Sequence, residues 1–240
     1  MNKINDPQHI SFAERIGASA IGVADYRILE EEREHLDTWL GYQCEANLDY
    51  MRNHRREDPR IIFPECKTVV VVLFSPQKWS YHNGIRKRLK RLLALLKEVD
   101  PGVEGRGVVD TAPILERAWG VEANLGWVGR NSMLIHPKFG SNFNIGVLLI
   151  NRSREELREI GGVGLMSELL VGSYPYRLKD GCVHCHKLCV QTCPRSAIRE
   201  DRTIETSFCL SYLSQYMQPR PEVLGCTICQ RVCPYNSGAF

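Results

Sequence analysis

The chain has 240 residues, of which 43% are hydrophobic and 25% are charged, and its formal net charge is +3. This composition is ordinary for a folded globular protein, and the length allows one large domain or a core domain with a small module. No apolar run is long enough to cross a membrane, and the N-terminus lacks the apolar segment of a signal peptide. We therefore expect a cytoplasmic protein with no membrane partner, in which clustered cysteines bind metal rather than form disulfides.

The chain before residue 175 alternates predicted strands and helices. Residues 67–74 form an unbroken, largely β-branched apolar run, which is typical of a strand covered on both faces. In 85–99 the apolar residues recur at helical spacing with basic residues between them, which indicates an amphipathic helix. The other predicted elements are a helix over 8–17, a strand over 20–23, a helix over 30–39, a strand ending near Asp110, a helix from about 113 to 125, strands near 133–136 and 144–150, and a helix over 166–171. This alternation predicts an α/β (α+β) sheet domain.

The cysteines are concentrated at the end of the chain. Of the ten, Cys44 and Cys66 stand alone before residue 180, and we interpret them as small core residues. The other eight lie between Cys182 and Cys233. The shift in composition predicts a boundary near 175–181, with a sheet domain over 1–175 and a cysteine module over 176–240.

The eight clustered cysteines form two similar motifs. These are Cys182-x2-Cys185-x3-Cys189-x3-Cys193-Pro194 and Cys209-x16-Cys226-x2-Cys229-x3-Cys233-Pro234. Four converging thiolates can hold a [4Fe–4S] cluster, and in bacterial two-cluster ferredoxins the cysteine before proline ligates the other cluster. The motifs therefore predict a ferredoxin-like module with two crossed ligand sets. One set is Cys182, Cys185, Cys189 and Cys233, and the other is Cys193, Cys209, Cys226 and Cys229.

Two structural zinc sites are the alternative, because zinc also accepts four thiolates. The two Cys-Pro ends and the crossed spacing favour iron–sulfur clusters. The gap between Cys185 and Cys189 is one residue longer than in the usual ferredoxin motif. We expect this extra residue to alter the loop geometry rather than the ligands.

Outside the cysteines, two long motifs resemble the epoxyqueuosine reductase family. They run from Val109 to Ala118 and from Leu125 to Asn131, and the likeness resumes at Cys226–Asn236. Overall it covers roughly residues 48–236. The resemblance implies a cobalamin-dependent reductase, related to reductive dehalogenases, that reduces epoxyqueuosine to queuosine in tRNA.

The resemblance also implies roles for particular residues. Electrons would pass from two [4Fe–4S] clusters to base-off cobalamin, with Asp110 as the proton donor. A ferredoxin or flavodoxin would be the low-potential electron donor, and tRNA a partner. From the residues alone, Asp110 could instead be a helix N-cap. Glu116 could form an ordinary helix surface pair with Arg117, so its role in the site stays open. The positions that match the cobalamin contacts of the family are Arg56, Arg117, Gly129, Arg130, Asn131 and Ser211.

The sequence departs from the family pattern in two places. Family members continue past the cysteine module into a helical-repeat region that helps to hold tRNA, whereas this sequence ends at Phe240. Ser80 stands where the family has aspartate. Two alternatives therefore stay open: a cobalamin-dependent reductase of a small molecule, similar to a reductive dehalogenase, or a non-catalytic two-cluster electron carrier. The size of the sheet domain argues against the carrier, because a two-cluster ferredoxin needs only the cysteine module.

Overall fold

The computed structural model describes residues 11–46, 48–53, 56–76, 81–110, 112–175, 177–213 and 226–236. Its strands are β1 (Ala20–Asp25), β2 (Thr68–Phe74), β3 (Gly105–Val108), β4 (Trp127–Val128), β5 (Leu134–Ile135) and β6 (Asn144–Ile150). Its helices are α1 (Phe12–Arg15), α2 (Glu30–Gly41), α3 (Tyr81–Val99), α4 (Glu116–Glu122), α5 (Arg154–Leu169), α6 (Leu188–Gln191), α7 (Leu210–Tyr212) and α8 (Ile228–Arg231). No helix in these described ranges is long and apolar enough to cross a membrane.

The chain divides into two compact units. The first combines the described parts of Met1–Ile28, Arg55–Leu125 and Phe143–Leu178. The second combines those of Leu29–His54, Gly126–Asn142 and Lys179–Phe240. Two segments that precede the cysteine motifs in the chain, the one that holds α2 and the one that holds β4 and β5, thus belong to the same unit as those motifs.

The first unit is built on a four-stranded sheet in the order β1-β2-β6-β3, and every neighbouring pair is antiparallel. The mixed helix and sheet architecture was predicted, whereas the antiparallel pairing was not, because alternation along the chain does not decide strand direction. All seven residues of β2 are buried. The prediction of a strand covered on both faces is therefore confirmed.

Helix α3 covers one face of this sheet. Ile85, Leu89, Leu92 and Leu96 are buried as the helical spacing predicted, while Val99, the last residue of the helix, is 41% exposed. The helix approaches closely because two strand residues lack side chains. A Cβ on Gly146 of β6 would lie 2.7 Å from Ile85, and a Cβ on Gly107 of β3 would lie 2.9 Å from Leu89. This packing holds the first turn of α3 in a defined position relative to the end of β3.

Two predicted helices have different bounds in the structure. Helix α4 begins at Glu116 after the N-cap Leu115, three residues later than predicted from Pro113. The backbone turns between Val109 and Ile114 delay its start. Helix α5 begins at Arg154, where Ser153 forms a capping box with Glu156. Only the end of α5 was predicted, because the Gly161–Gly162 pair interrupts the apolar pattern, and Gly162 takes a positive φ of 64° inside the helix.

The second unit consists of short elements around the cysteines. Strands β4 and β5 form an antiparallel hairpin in which Trp127 pairs with Ile135. Helix α2 is joined to the cysteine motifs because the indole Nε1 of Trp39 donates a hydrogen bond of 2.8 Å to the carbonyl oxygen of Ile204. Cys44, which follows α2, is fully buried, and burial raises the pKa of its thiol to about 11. Cys44 is therefore a core residue, as predicted.

Candidate functional site

The first predicted ligand set comes together in the second unit. Cys182, Cys185, Cys189 and Cys233 line one pocket, together with residues of the β4–β5 hairpin and of the C-terminal motif. Burial raises the pKa of the Cys189 thiol to about 11, and repulsion from the thiolates of the other three cysteines in this set adds to that shift. Four thiols that face one pocket are the donor set of a [4Fe–4S] cluster. The residues present therefore fit such a cluster.

The loop that carries Cys182 is fixed by polar and aromatic contacts. The side chain of Asp180 accepts a hydrogen bond of 2.8 Å from the backbone N–H of Cys182. The Trp127 and Tyr235 rings pack edge to face at 4.7 Å, and the Tyr235 hydroxyl donates to the carbonyl oxygen of Gly181. Burial raises the pKa of the Cys182 thiol above its usual range. These contacts orient the first cysteine toward the pocket.

The second predicted set surrounds Cys229. Burial raises the pKa of the Cys229 thiol to about 11, and repulsion from the thiolates of Cys209, Cys226 and Cys193 adds to the shift. The Cys193 sulfur accepts a hydrogen bond of 3.3 Å from the backbone N–H of Ala197. Such bonds to sulfur are one of the means by which a protein sets the reduction potential of a cluster.

The hairpin is tied to the last cysteine motif through asparagine side chains. Asn131 donates from Nδ2 to the carbonyl oxygen of Cys229 at 3.4 Å and accepts from the backbone N–H of Met133. Asn236 accepts at 2.5 Å from the backbone N–H of Ser141 and donates at 2.7 Å to the carbonyl oxygen of Gln230. Gly140 has a φ of 64°, and a Cβ there would collide with Asn236. The match at Asn236 therefore has a structural reason, because Asn236 holds the Gly140–Ser141 turn within this unit.

The predicted cobalamin positions are divided between the two units. In the second unit, Gly129 starts the hairpin turn, where a Cβ would lie 2.5 Å from Ile135. Arg130 donates at 2.8 Å to the carbonyl oxygen of Glu200, Asn131 is buried, and Ser211 lies in α7. In the first unit, Arg56 is buried and Arg117 is exposed in the first turn of α4.

Asp110 lies just after β3, which ends at Val108. Its side chain is 50% exposed, and its Oδ1 lies 2.6 Å from Nε2 of His82 in the first turn of α3. The N-cap of the following helix is Leu115, so the alternative reading of Asp110 as that N-cap is wrong. A half-exposed carboxyl with an imidazole partner is available to give or take a proton at the surface of the first unit. Ser80, the other departure noted near this helix, lies outside the described residues.

Glu116 adds a second carboxyl to the same region. Its side chain is largely buried, and its Oε1 has no hydrogen-bond partner among the described residues. Burial raises the pKa of Glu116 from 4.5 to about 7, with repulsion from Asp110 in the same direction and attraction by Arg117 and Arg56 against it. Around Asp110 the first unit therefore gathers two acids, one imidazole and two guanidinium groups.

We expect Glu116→Gln to stabilise the protein at alkaline pH. Because the folded pKa is raised, the native state keeps a proton that the unfolded state has lost above its own pKa. That contribution is fully present below about pH 4.5 and disappears as the pH rises through about 7, a change of up to about 3 kcal/mol. Glutamine mimics the protonated carboxyl, so the advantage of the variant should grow with pH.

Urea unfolding of both proteins at about pH 5.5, 7 and 8.5 would measure this difference. Glu159→Gln, a change at an exposed position on α5, is the matched control and should show a difference independent of pH. A constant difference between wild type and Glu116→Gln across the range would contradict the burial argument.

Two of these residues were not identified as site residues from the sequence. His82 follows the divergent Ser80 position and is a single histidine, which has a weak claim to function by itself. Glu116 sits beside Arg117 and has the pattern of an ordinary helix surface pair. The only sequence signal for both was their place inside or next to the family motifs.

Comparisons with known proteins agree with this description. Residues 181–236 match the model of a 4Fe-4S double cluster binding domain, which decides against the zinc alternative. The epoxyqueuosine reductase of Cyclobacterium marinum is 34% identical over 255 residues, covering 93% of this chain and 76% of that protein.

Solved structures show the same fold. The structure of epoxyqueuosine reductase from Streptococcus thermophilus matches with a TM-score of 0.73 at 23% identity, covering 94% of this chain and 64% of that one. A crystal structure of epoxyqueuosine reductase with an epoxyqueuosine-modified tRNA stem loop matches with a TM-score of 0.70 at 23% identity. The match covers 95% of this chain and 64% of that one. This chain thus spans 64% of the length of these two solved chains.

These findings confirm the predicted mixed helix and sheet fold, the oxidoreductase class and the iron–sulfur cofactor class. The identity to the Cyclobacterium marinum protein extends over both compact units, not over the cysteine module alone. By its sequence, the chain belongs to the epoxyqueuosine reductase family.

Proposed function

We propose that this protein reduces epoxyqueuosine in tRNA to queuosine, with electrons supplied through two [4Fe–4S] clusters. The observation that carries the proposal is the 34% identity to an epoxyqueuosine reductase over 93% of this chain. The fold shared with the structure that holds an epoxyqueuosine-modified tRNA stem loop supports the substrate class. Conversion of an epoxide to an alkene consumes two electrons and two protons and releases water, so the enzyme needs both an electron supply and an acid.

We propose the crossed ligand sets for the two clusters. The shared pocket of Cys182, Cys185, Cys189 and Cys233 supports the first set, and the mutual charge repulsion around Cys229 supports the second. In each set the cysteine before proline comes from the other motif, as the ferredoxin rule requires. Electrons would then enter the protein at one cluster and leave from the other.

Cobalamin is the proposed third cofactor. When bound, it would supply a low-valent cobalt centre that delivers electrons to a carbon–oxygen bond. The residues proposed to hold it are donors suited to its amide and phosphate groups. Arg117 is exposed in the first turn of α4, and the buried Oε1 of Glu116, without a hydrogen-bond partner among the described residues, is consistent with a group that binds there. The proposed contacts are Arg56, Arg117, Gly129, Arg130, Asn131 and Ser211.

Asp110 is the proposed proton donor. A general acid must reach the substrate and hold its proton at the working pH. The 50% exposure of Asp110 supports the first condition. Nε2 of His82, 2.6 Å from Oδ1 of Asp110, offers a partner for proton exchange. A low-potential protein such as a ferredoxin or flavodoxin is the proposed electron donor.

The test is conversion of epoxyqueuosine tRNA by protein purified without oxygen, loaded with iron–sulfur clusters and cobalamin, and reduced by flavodoxin. We expect queuosine in the nucleoside digest, detected by mass spectrometry, and none in the reaction without cobalamin. Because phosphate contacts release counterions, the KM for tRNA should rise steeply with salt. Full cluster and cobalamin content without any queuosine would overturn the tRNA substrate and leave a small-molecule substrate as the remaining alternative.

A further inference from the structure

The closest polar contact of Asp110 comes from His82. Nε2 of the imidazole lies 2.6 Å from Oδ1 of the carboxyl, within hydrogen-bonding distance. The two groups belong to different elements, the first turn of α3 and the segment after β3. Close packing of α3 on β3, where Gly107 meets Leu89, sets the distance between those elements. The pair is therefore positioned by the core of the first unit.

An ordinary surface ion pair would need no further explanation, since exposed pairs contribute only about 0–1 kcal/mol to stability. Three features distinguish this one. The carboxyl is the one proposed to deliver a proton, the histidine side chain is 41% exposed, and Glu116 is a second acid close enough to interact electrostatically with Asp110. The charged groups around the pair also include the guanidinium groups of Arg56 and Arg117.

We propose that His82 positions Asp110 and returns its proton after each transfer. This inference rests on the proposed function, in which Asp110 is the acid. When Asp110 has given a proton to the substrate, the imidazolium Nε2–H passes its proton to Oδ1, and the neutral imidazole takes a proton from water. One proton moves in each step and no electrons are exchanged. Because epoxide reduction consumes two protons, an acid that can be reloaded serves both transfers.

The first variant is His82→Gln, which keeps a polar side chain but carries no transferable proton. We expect kcat to fall about 10- to 100-fold, at the lower end of general acid–base effects, with the KM for tRNA, cluster content and cobalamin content unchanged. Added imidazole should restore part of the activity of His82→Ala.

One control isolates the imidazole. His35→Gln, at an exposed position on α2 in the other unit, should leave kcat unchanged.

The outcomes separate this inference from the proposed function. If Asp110→Asn is inactive while His82→Gln has wild-type kcat, the role of His82 is overturned and that of Asp110 stands. If His82→Gln loses activity and imidazole does not rescue His82→Ala, proton return is overturned. If Asp110→Asn keeps full activity, the acid is elsewhere and both proposals fall.

Discussion

Asp110→Asn should lose at least about a hundredfold in turnover, because general acid catalysis commonly contributes about 10²- to 10⁴-fold. Asparagine keeps the size and polarity of the side chain and removes only its transferable proton. The variant should still bind both clusters, cobalamin and tRNA, since Asp110 is half exposed and its removal opens no cavity in the core. The loss is expected in kcat, with the KM for tRNA little changed.

The measurement is a single-turnover assay for queuosine, combined with iron analysis and the electron paramagnetic resonance signal of cob(II)alamin. Asp37→Asn, at an exposed position on α2, is the matched control and should behave as wild type. Near-normal turnover by Asp110→Asn would remove this residue from the mechanism. Loss of cobalamin together with activity would instead make Asp110 a binding residue.

Double cysteine variants should distinguish crossed from uncrossed clusters. With crossed ligation, Cys182→Ala combined with Cys233→Ala removes two ligands of the same cluster, so about four of eight iron atoms per chain should remain. Cys182→Ala combined with Cys193→Ala removes one ligand from each cluster, so both should be lost or impaired. Uncrossed ligation predicts the reverse: the Cys182 and Cys193 pair would then cost one cluster, and the Cys182 and Cys233 pair would impair both.

Iron and acid-labile sulfide per chain, with electron paramagnetic resonance of the reduced protein, would give the count for each variant. Cys44→Ala is the control, because its thiol is buried away from both ligand sets and should not change the iron content. Both double variants should also lack turnover wherever a cluster is lost, since electrons then have no complete path. Equal iron content in the two double variants would contradict both ligation schemes.

Much of the candidate site was predictable because its chemistry is local in the chain. The Cys182–Cys193 and Cys226–Cys233 motifs specify thiolates at fixed spacing, and the double-cluster match over 181–236 confirms the type of module. The strand over Thr68–Phe74 was predictable for a similar reason, since an unbroken β-branched run suits only a covered strand. The start of α4 at Glu116 was not predictable in this way. Backbone turns after Val109 occupy the residues around Pro113, although proline there favours the first turn of a helix.

The sequence by itself determined the type of iron–sulfur module, the buried strand over Thr68–Phe74 and the family, because each depends on residues that are neighbours along the chain or on motifs of defined spacing. Only the tertiary structure decided that His82 meets Asp110 and that Glu116 is buried. It also decided that Trp39 of α2 bonds to Ile204, which lies 165 residues further along. The distance between His82 and Asp110 and the burial of the Glu116 carboxyl depend on how α3, α4 and the sheet pack together. No local pattern of residue types encodes that packing.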